Sequence, residues 1–184
     1  MSRTRRFLAA LRIALVGTRP PSGRSAPRPA QTPPARPGDP RVEPGASQSR
    51  PGATTELDPA EVRRPGWGYA PDPNGALDPG EIVWTWVPYE ERDGRGKDRP
   101  VVVMATLTGG AVLAVQLTSK DHIGDADFVP LGVGDWDRDR RPSWAAVDRV
   151  FRVSPNGVRR EGTFVDAAHY TLIERALRTR YGWY

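Results

Sequence analysis

The sequence contains no cysteine and only two histidines, His122 and His169, which lie far apart along the chain. The absence of cysteine excludes disulfide bonds and cysteine-ligated zinc, and it fits a reducing compartment such as the cytoplasm. Histidines so widely separated do not form a metal-ligand pair by local spacing. Phosphate-binding loops, nucleophile elbows and zinc-protease motifs are also missing. We therefore expect a cytoplasmic protein with no metal and no other cofactor.

Long apolar runs are absent as well, since none approaches the roughly 20 residues of a membrane-spanning helix. The first residues have the outline of a signal peptide, with a basic stretch followed by an apolar one. Arg12 interrupts the apolar stretch, and no small-x-small cleavage site follows Val16. A short basic amphipathic helix over residues 3–16, in contact with a membrane surface, is the alternative. A frayed start without function is the interpretation that the composition favours.

Proline and arginine are concentrated in the first third of the chain. Residues 1–66 contain 12 of the 20 prolines and have 12 arginines against five acidic residues, a net charge of +7. Residues 67–184 have 15 basic and 17 acidic residues, a net charge of −2. The first segment buries too little apolar surface to offset its conformational entropy. We therefore predict a disordered Pro/Arg-rich tail over residues 1–66 and a folded domain over residues 67–184.

Strand patterns dominate the predicted domain. Residues 81–87 alternate, with Trp84 and Trp86 on one face, and Pro88 ends this run. Residues 100–107 form a β-branched run typical of a strand buried on both faces. A Thr-Gly-Gly turn then predicts a return strand over residues 111–117.

The rest of the chain adds shorter strands and one helix. Strands are predicted over residues 128–131 and 145–153, and Asn156-Gly157 predicts a hairpin. From residue 166 the apolar period becomes helical, with Asp166 as the N-cap and Gly182 as the stop. The predicted apolar stripe of this helix is Leu172, Ile173, Ala176, Leu177 and Tyr181. The fold class is therefore mainly β with a C-terminal helix.

Taken in order, these runs resemble the MazF/PemK family of toxin endoribonucleases. Residues 80–84, Gly-Glu-Ile-Val-Trp, are similar to the opening strand of the family, and Arg99-Pro100 before three valines is similar to its Arg-Pro and valine-rich strand. Residues 117–119, Leu-Thr-Ser, are similar to its third strand, which ends in a hydroxyl pair. A later run over residues 147–153 and the terminal helix occupy the expected positions, so the resemblance covers about residues 80–181.

The resemblance implies both a fold and an activity. It implies a small bent β-barrel of the Src-homology-3-like type, working as a homodimer. It implies metal-independent, sequence-selective cleavage of single-stranded RNA by the toxin half of a toxin–antitoxin pair, with a cognate antitoxin as partner. One departure is the first loop, residues 90–98, which lacks the serine common in the family and is rich in acids. Acidic residues beside a phosphate-binding site repel RNA, so this departure is expected to affect activity and cleavage specificity more than the fold.

The resemblance also implies site residues. Arg99 and Thr118 match the catalytic positions of the family, and Ser119, Lys120, Arg95 and Lys97 are candidate RNA-binding residues. When the 2′-hydroxyl of RNA attacks the adjacent phosphate, negative charge builds on the phosphate oxygens. A guanidinium can hold two of these oxygens, and a hydroxyl can donate to the third.

Arginine is a poor acid or base near neutral pH, so Arg99 is expected to act electrostatically. The general base is left open by the sequence. The candidates are Glu90, Glu91, Asp93, Asp98 and His122.

Two alternatives stay open. Either the domain is an RNA-cleaving enzyme, or it is a catalytically weak barrel module that binds RNA or a protein through Trp84, Trp86 and Tyr89.

The role of four later arginines is also open. Either they line an RNA groove, or they belong to a charged strand face and have a structural role. These arginines are Arg149, Arg152, Arg159 and Arg160.

Overall fold

The computed structural model of the chain describes residues 52–72 and 74–184. Residues 1–51, which include most of the predicted tail and the predicted helix over residues 3–16, lie outside the described residues. The strands are β1 (Thr55–Glu56), β2 (Gly66–Trp67), β3 (Glu81–Pro88), β4 (Gly96–Thr106), β5 (Val112–Thr118), β6 (Phe128–Gly132), β7 (Ser143–Ala146), β8 (Phe151–Val153) and β9 (Val158–Phe164). The single described α-helix, α1, spans Ala167–Tyr181.

All strand pairs are antiparallel and follow the order β1-β8-β5-β4-β3-β9. β2 adds to β4, and the β6–β7 pair adds to the end of β5. Register shifts on β3 and β4 mark irregularities of the kind that bend strands. The sheet curves into a bent barrel that is not closed by pairing among the described strands. The prediction of a mainly β, bent barrel with a C-terminal helix is confirmed.

The central strands β4 and β5 are buried on both faces, which explains the continuous valine run. Val102 and Met104 point into the larger apolar cluster, which α1 covers. Val101 and Val103 point to the opposite side, into a smaller cluster that contains Phe151. The side of the sheet that holds this smaller cluster is called the second face below.

The helix begins and ends where the sequence predicts. Asp166 caps it by accepting a hydrogen bond from the backbone N–H of His169, and Gly182 has a left-handed conformation with φ of 66°. The predicted stripe is partly wrong, because Leu172 is half exposed and Tyr170 is buried instead. The Tyr170 hydroxyl donates to the Met104 carbonyl at 2.6 Å, which ties α1 to β4.

Three predicted elements differ in the structure. Asn156-Gly157 does not form a hairpin: it lies in a short 3₁₀ turn, after which β9 crosses over to pair with β3 instead of with β8. The predicted strand over residues 145–153 is two strands, because β7 pairs with β5 and β6 while β8 pairs with β1 and β5. β4 begins at Gly96, so Arg99 lies inside a strand and not at the end of a loop.

Residues 54–62, which composition assigns to the tail, lie against the barrel. Thr54 is buried, β1 pairs with β8, and Leu57 and Val62 pack on the larger apolar cluster. Glu56 accepts hydrogen bonds from Arg92 and Arg149. These residues, 52–62, are called the N-terminal extension below.

Candidate active site

Five strands meet in one row on the second face. Thr85 on β3 is paired with Arg99 on β4. The pairing of β4 with β5 reaches Val101 and Gln116, and Arg99 and Thr118 each lie two residues beyond this pair on their own strands. Because side chains alternate along a strand, Arg99 points to the same side as Val101 and Thr118 to the same side as Gln116, so both lie on the second face.

The row continues on the other side of β5. Thr118 is paired with Trp144 on β7, and Trp144 with Pro130 on β6. The two residues predicted to be catalytic thus lie on the same face of the neighbouring strands β4 and β5. The row lies at the border of the smaller apolar cluster, where the residues of β5 become polar. Ala114 is buried in that cluster, whereas Gln116 and Thr118 are partly exposed.

Arg99 is partly buried. Among the described residues, no carboxylate forms an ion pair with it, whereas its neighbour Asp98 points to the other face and binds Arg159 at 2.9 Å. Asp98 and Asp93 are the acidic residues that precede Arg99 most closely in the chain. The structure pairs Asp98 with Arg159 and Asp93 with Arg95. The guanidinium of Arg99 is therefore available for an anionic ligand.

Thr118 ends β5 and shapes the turn that follows. Its Oγ1 accepts a hydrogen bond from the backbone N–H of Lys120 at 3.1 Å. This contact orients the hydroxyl, and its own proton has no acceptor among the described residues. Ser119 and Lys120 are both exposed just beyond the strand.

The loop ahead of β4 holds the other predicted cations. Arg95 donates through Nε to Asp93 at 2.6 Å, and the hydrogen bonds from the backbone and side chain of Arg95 lower the pKa of Asp93. Lys97 is exposed on the same side of β4 as Arg99. Gly96 starts the strand at a close approach, because a Cβ there would lie 2.4 Å from the Val87 carbonyl oxygen.

The four later arginines make internal contacts. Arg149 binds Glu56, Arg159 binds Asp98, and Arg152 donates to the Thr108 carbonyl. Arg160 forms a bidentate pair with Glu81, which is only 2% exposed at its side chain, and this hydrogen bonding raises the pKa of Arg160. These contacts favour the structural interpretation of the four arginines.

The aromatic residues of β3 are also covered. The guanidinium of Arg159 lies 5.1 Å from the Trp84 ring centre, a cation–π contact. Trp86 is partly buried and its ring lies against Gly96. Both indoles are thus partly covered by neighbouring groups, and Tyr89, the third aromatic residue of the binding-module interpretation, is also partly buried.

The N-terminal extension reaches the row at Thr85. The Thr85 hydroxyl donates to the Gly157 carbonyl at 2.9 Å, so the contact of 2.5 Å between the Thr54 and Thr85 hydroxyls has Thr54 as donor. Both threonines are buried. The extension thus contacts the strand position directly beside Arg99.

A separate groove of about 740 Å³ lies under the extension. Its lining includes Glu56, Arg92, Asp148 and Arg149, and none of the six site residues that the family resemblance implied. Burial raises the pKa of Asp148, and the negative charges of Asp127 and Glu90 add to this. Burial opposes the charge of Glu56 too, but hydrogen bonds from Arg149 and Arg92 outweigh it and lower the pKa of Glu56.

The fold and the row define a class: a bent β-barrel with a C-terminal helix and a cation beside a hydroxyl on adjacent strands. The sequence profile of the PemK-like, MazF-like toxins of type II toxin–antitoxin systems matches residues 78–180. The chain therefore belongs to this family. A search of curated proteins finds no match.

Two solved structures are similar to the chain at low identity. The Mycobacterium tuberculosis toxin MazF-mt6 is 17% identical, with a TM-score of 0.41, and the match covers 56% of this chain and 98% of that one. The MazE-MazF structure (Form-II) from Deinococcus radiodurans is 18% identical, with a TM-score of 0.41, and the match covers 58% of this chain and 96% of that one.

The sequence did not identify Thr85 and Trp144 as neighbours of the site. Thr85 is an ordinary alternating strand residue, and Trp144 lies one residue before the strand that was predicted over residues 145–153. Their positions depend on register between strands that are distant in the chain, which no local pattern encodes.

No α-helix among the described residues is long and apolar enough to cross a membrane.

Proposed function

We propose that the chain is an endoribonuclease that cleaves single-stranded RNA at selected sequences without a metal ion, as the toxin of a toxin–antitoxin pair. Membership of the PemK-like, MazF-like toxin family supports this proposal. The observation that supports it most directly is that Arg99 and Thr118 lie on the same face of the neighbouring strands β4 and β5, each two residues beyond the pair Val101–Gln116. We further propose a cytoplasmic location, a cognate antitoxin and a homodimeric state.

The chemistry of this pair suits phosphodiester cleavage. The RNA supplies its own nucleophile, the 2′-hydroxyl, so no metal-bound water is required. Arg99 holds two phosphate oxygens as their charge grows, and Thr118 donates its free proton to a third oxygen. Lys97 and Lys120, both exposed near the row, attract the backbone of the RNA although the domain is slightly acidic.

The experiment is cleavage of a long single-stranded RNA by the full chain in the presence of EDTA. We expect a few discrete cuts, each leaving a 2′,3′-cyclic phosphate and a 5′-hydroxyl that polynucleotide kinase labels without prior dephosphorylation. Loss of cleavage in EDTA, with restoration by a divalent cation, would contradict metal independence. RNA binding without any cleavage would support the binding-module alternative.

A further inference from the structure

His122 is one of five residues that the sequence offers as general base, and the structure separates it from the other four. Asp98 points to the opposite face from Arg99 and is bound to Arg159. Asp93 is held by Arg95 in the loop ahead of β4. Glu90 and Glu91 are exposed in that same loop. Asp93 and Asp98 are therefore engaged with arginines, whereas the His122 ring contacts the ring of Trp144.

His122 lies in the turn that follows Thr118, next to the row. Its ring stacks on Phe128 with centres 3.4 Å apart and an angle of 13° between planes. Its ring also meets the Trp144 ring edge-on at 6.4 Å. Trp144 is the strand partner of Thr118, so the imidazole contacts the ring of the residue that is paired with Thr118.

An aspartate faces one of the two ring nitrogens of His122. Asp125 Oδ2 lies 3.6 Å from Nδ1 of His122, and this negative charge favours a proton on Nδ1. Nε2 then carries the lone pair, and neither ring nitrogen has a hydrogen-bond partner among the described residues. The side chain is 18% exposed, enough to reach a bound ligand yet held by the two aromatic rings.

We propose that His122 Nε2 accepts the proton of the attacking 2′-hydroxyl, an inference that rests on the proposed RNA cleavage. O2′ forms its bond to phosphorus while the bond from phosphorus to O5′ breaks, and the departing 5′ oxygen takes a proton from solvent. The imidazolium later returns its proton to solvent, and nothing is oxidised or reduced. Asp125 is a positioning residue that orients the ring.

The chain offers a matched control in its other histidine. His169 is also paired with an aspartate three residues away, Asp166, at 2.9 Å from Nδ1, but it lies in the first turn of α1. The Asp166 cap of the helix uses the backbone N–H of residue 169, which a His169→Gln substitution keeps. The two substitutions His122→Gln and His169→Gln therefore remove similar groups from different surroundings.

The test compares cleavage by the full-length variants with their binding of an RNA whose 2′-hydroxyl at the cleavage position is replaced by hydrogen. We expect His122→Gln to reduce cleavage about a hundredfold or more while binding changes less than about twofold. Asp125→Asn should reduce cleavage by about tenfold, and His169→Gln should have no effect. Added imidazole should restore cleavage by His122→Ala at least about tenfold, and should not rescue Arg99→Ala.

The outcomes separate this inference from the proposed function. Cleavage by His122→Gln at the rate of the unmutated protein overturns the role of His122 and leaves the proposed function standing. A weakening of binding equal to the loss of cleavage, with no imidazole rescue, shows a structural role and also overturns it. If the unmutated protein cleaves no RNA, the proposed function and this inference fall together.

Discussion

The hydroxyl of Thr118 is held in one orientation, and among the described residues its proton has no acceptor. Its contribution to RNA cleavage can therefore be measured by substitution. The hydroxyl accepts from the Lys120 backbone and donates to nothing among the described residues. We expect Thr118→Ala to lower RNA cleavage about tenfold, through one lost hydrogen bond to a charged group. Thr118→Ser, which keeps the hydroxyl, should stay within about threefold. Equal rates for the alanine variant and the unmutated protein would remove Thr118 from the mechanism.

Glu56 joins the N-terminal extension to Arg92 and Arg149, and its contribution to stability depends on pH. Its pKa is lowered from the ordinary value of 4.5. Glu56→Gln should therefore lower the free energy of unfolding by about 1–3 kcal/mol at pH 7. Because the native pKa is the lower one, the difference is complete above the unfolded pKa and disappears as pH falls through the native value.

Denaturant unfolding of both proteins at pH 7 and near pH 3 measures this difference. Glu61→Gln is the matched control, because Glu61 belongs to the same extension, is exposed, and forms no ion pair among the described residues. An equal loss of stability at both pH values would show that the carboxylate charge is not the cause.

At the scale of elements, the N-terminal extension contacts the barrel although composition groups it with the tail. Its prolines and charges resemble those of the preceding tail, yet Thr54, Leu57 and Val62 have places in the packing. A chain that begins at Gly52 should keep the melting temperature of the full chain. A chain that begins at Arg63 should melt about 10 °C lower, since several kcal/mol of contacts are lost. Equal melting temperatures for the two truncated chains would show that the extension adds nothing.

The sequence correctly predicted the strands and the helix that are determined by residues close together in the chain. The alternation of β3, the valine run of β4 and the helix with its Asp166 cap and Gly182 stop all follow from neighbouring residues. The Asn156-Gly157 prediction was wrong because Gly157 takes part in a crossover, where a Cβ would lie 2.0 Å from the Gly52 carbonyl oxygen. That constraint comes from a segment about 100 residues away, and no turn rule contains it.

In the candidate site too, sequence motifs predicted individual residues, whereas their relative positions depend on strands that are distant in the chain. Arg99 and Thr118 were predicted by resemblance, and their juxtaposition follows from strand register. Arg99 was expected at the end of a loop, but the β3–β4 pairing extends to Gly96 and places it within the sheet. The position of Trp144 beside Thr118 depends on the pairing of β7 with β5, which the sequence does not reveal. The contact between the rings of His122 and Trp144 depends on the same pairing.

At the scale of the whole molecule, the state of assembly is the main expectation still to be measured. The family resemblance predicts a homodimer. Light scattering of the full chain at about 20 µM should give a mass near twice that of one chain. A mass that corresponds to one chain across micromolar concentrations would favour the binding-module alternative.

The central claim is that Arg99 stabilises the charge that develops on the phosphate during RNA cleavage. The most direct measurement is the rate of cleavage of a long single-stranded RNA by Arg99→Ala, with Arg99→Lys and Arg159→Ala beside it. Arg159 is the matched control, because it lies on the opposite face of the sheet over Trp84. Circular dichroism checks that each variant is folded.

We expect Arg99→Ala to lose about a hundredfold or more in rate. Arg99→Lys should recover little, because an ammonium cannot make the paired contact to two oxygens. Arg159→Ala should stay within about twofold of the unmutated protein. A folded Arg99→Ala protein that cleaves RNA at the unmutated rate would contradict the account.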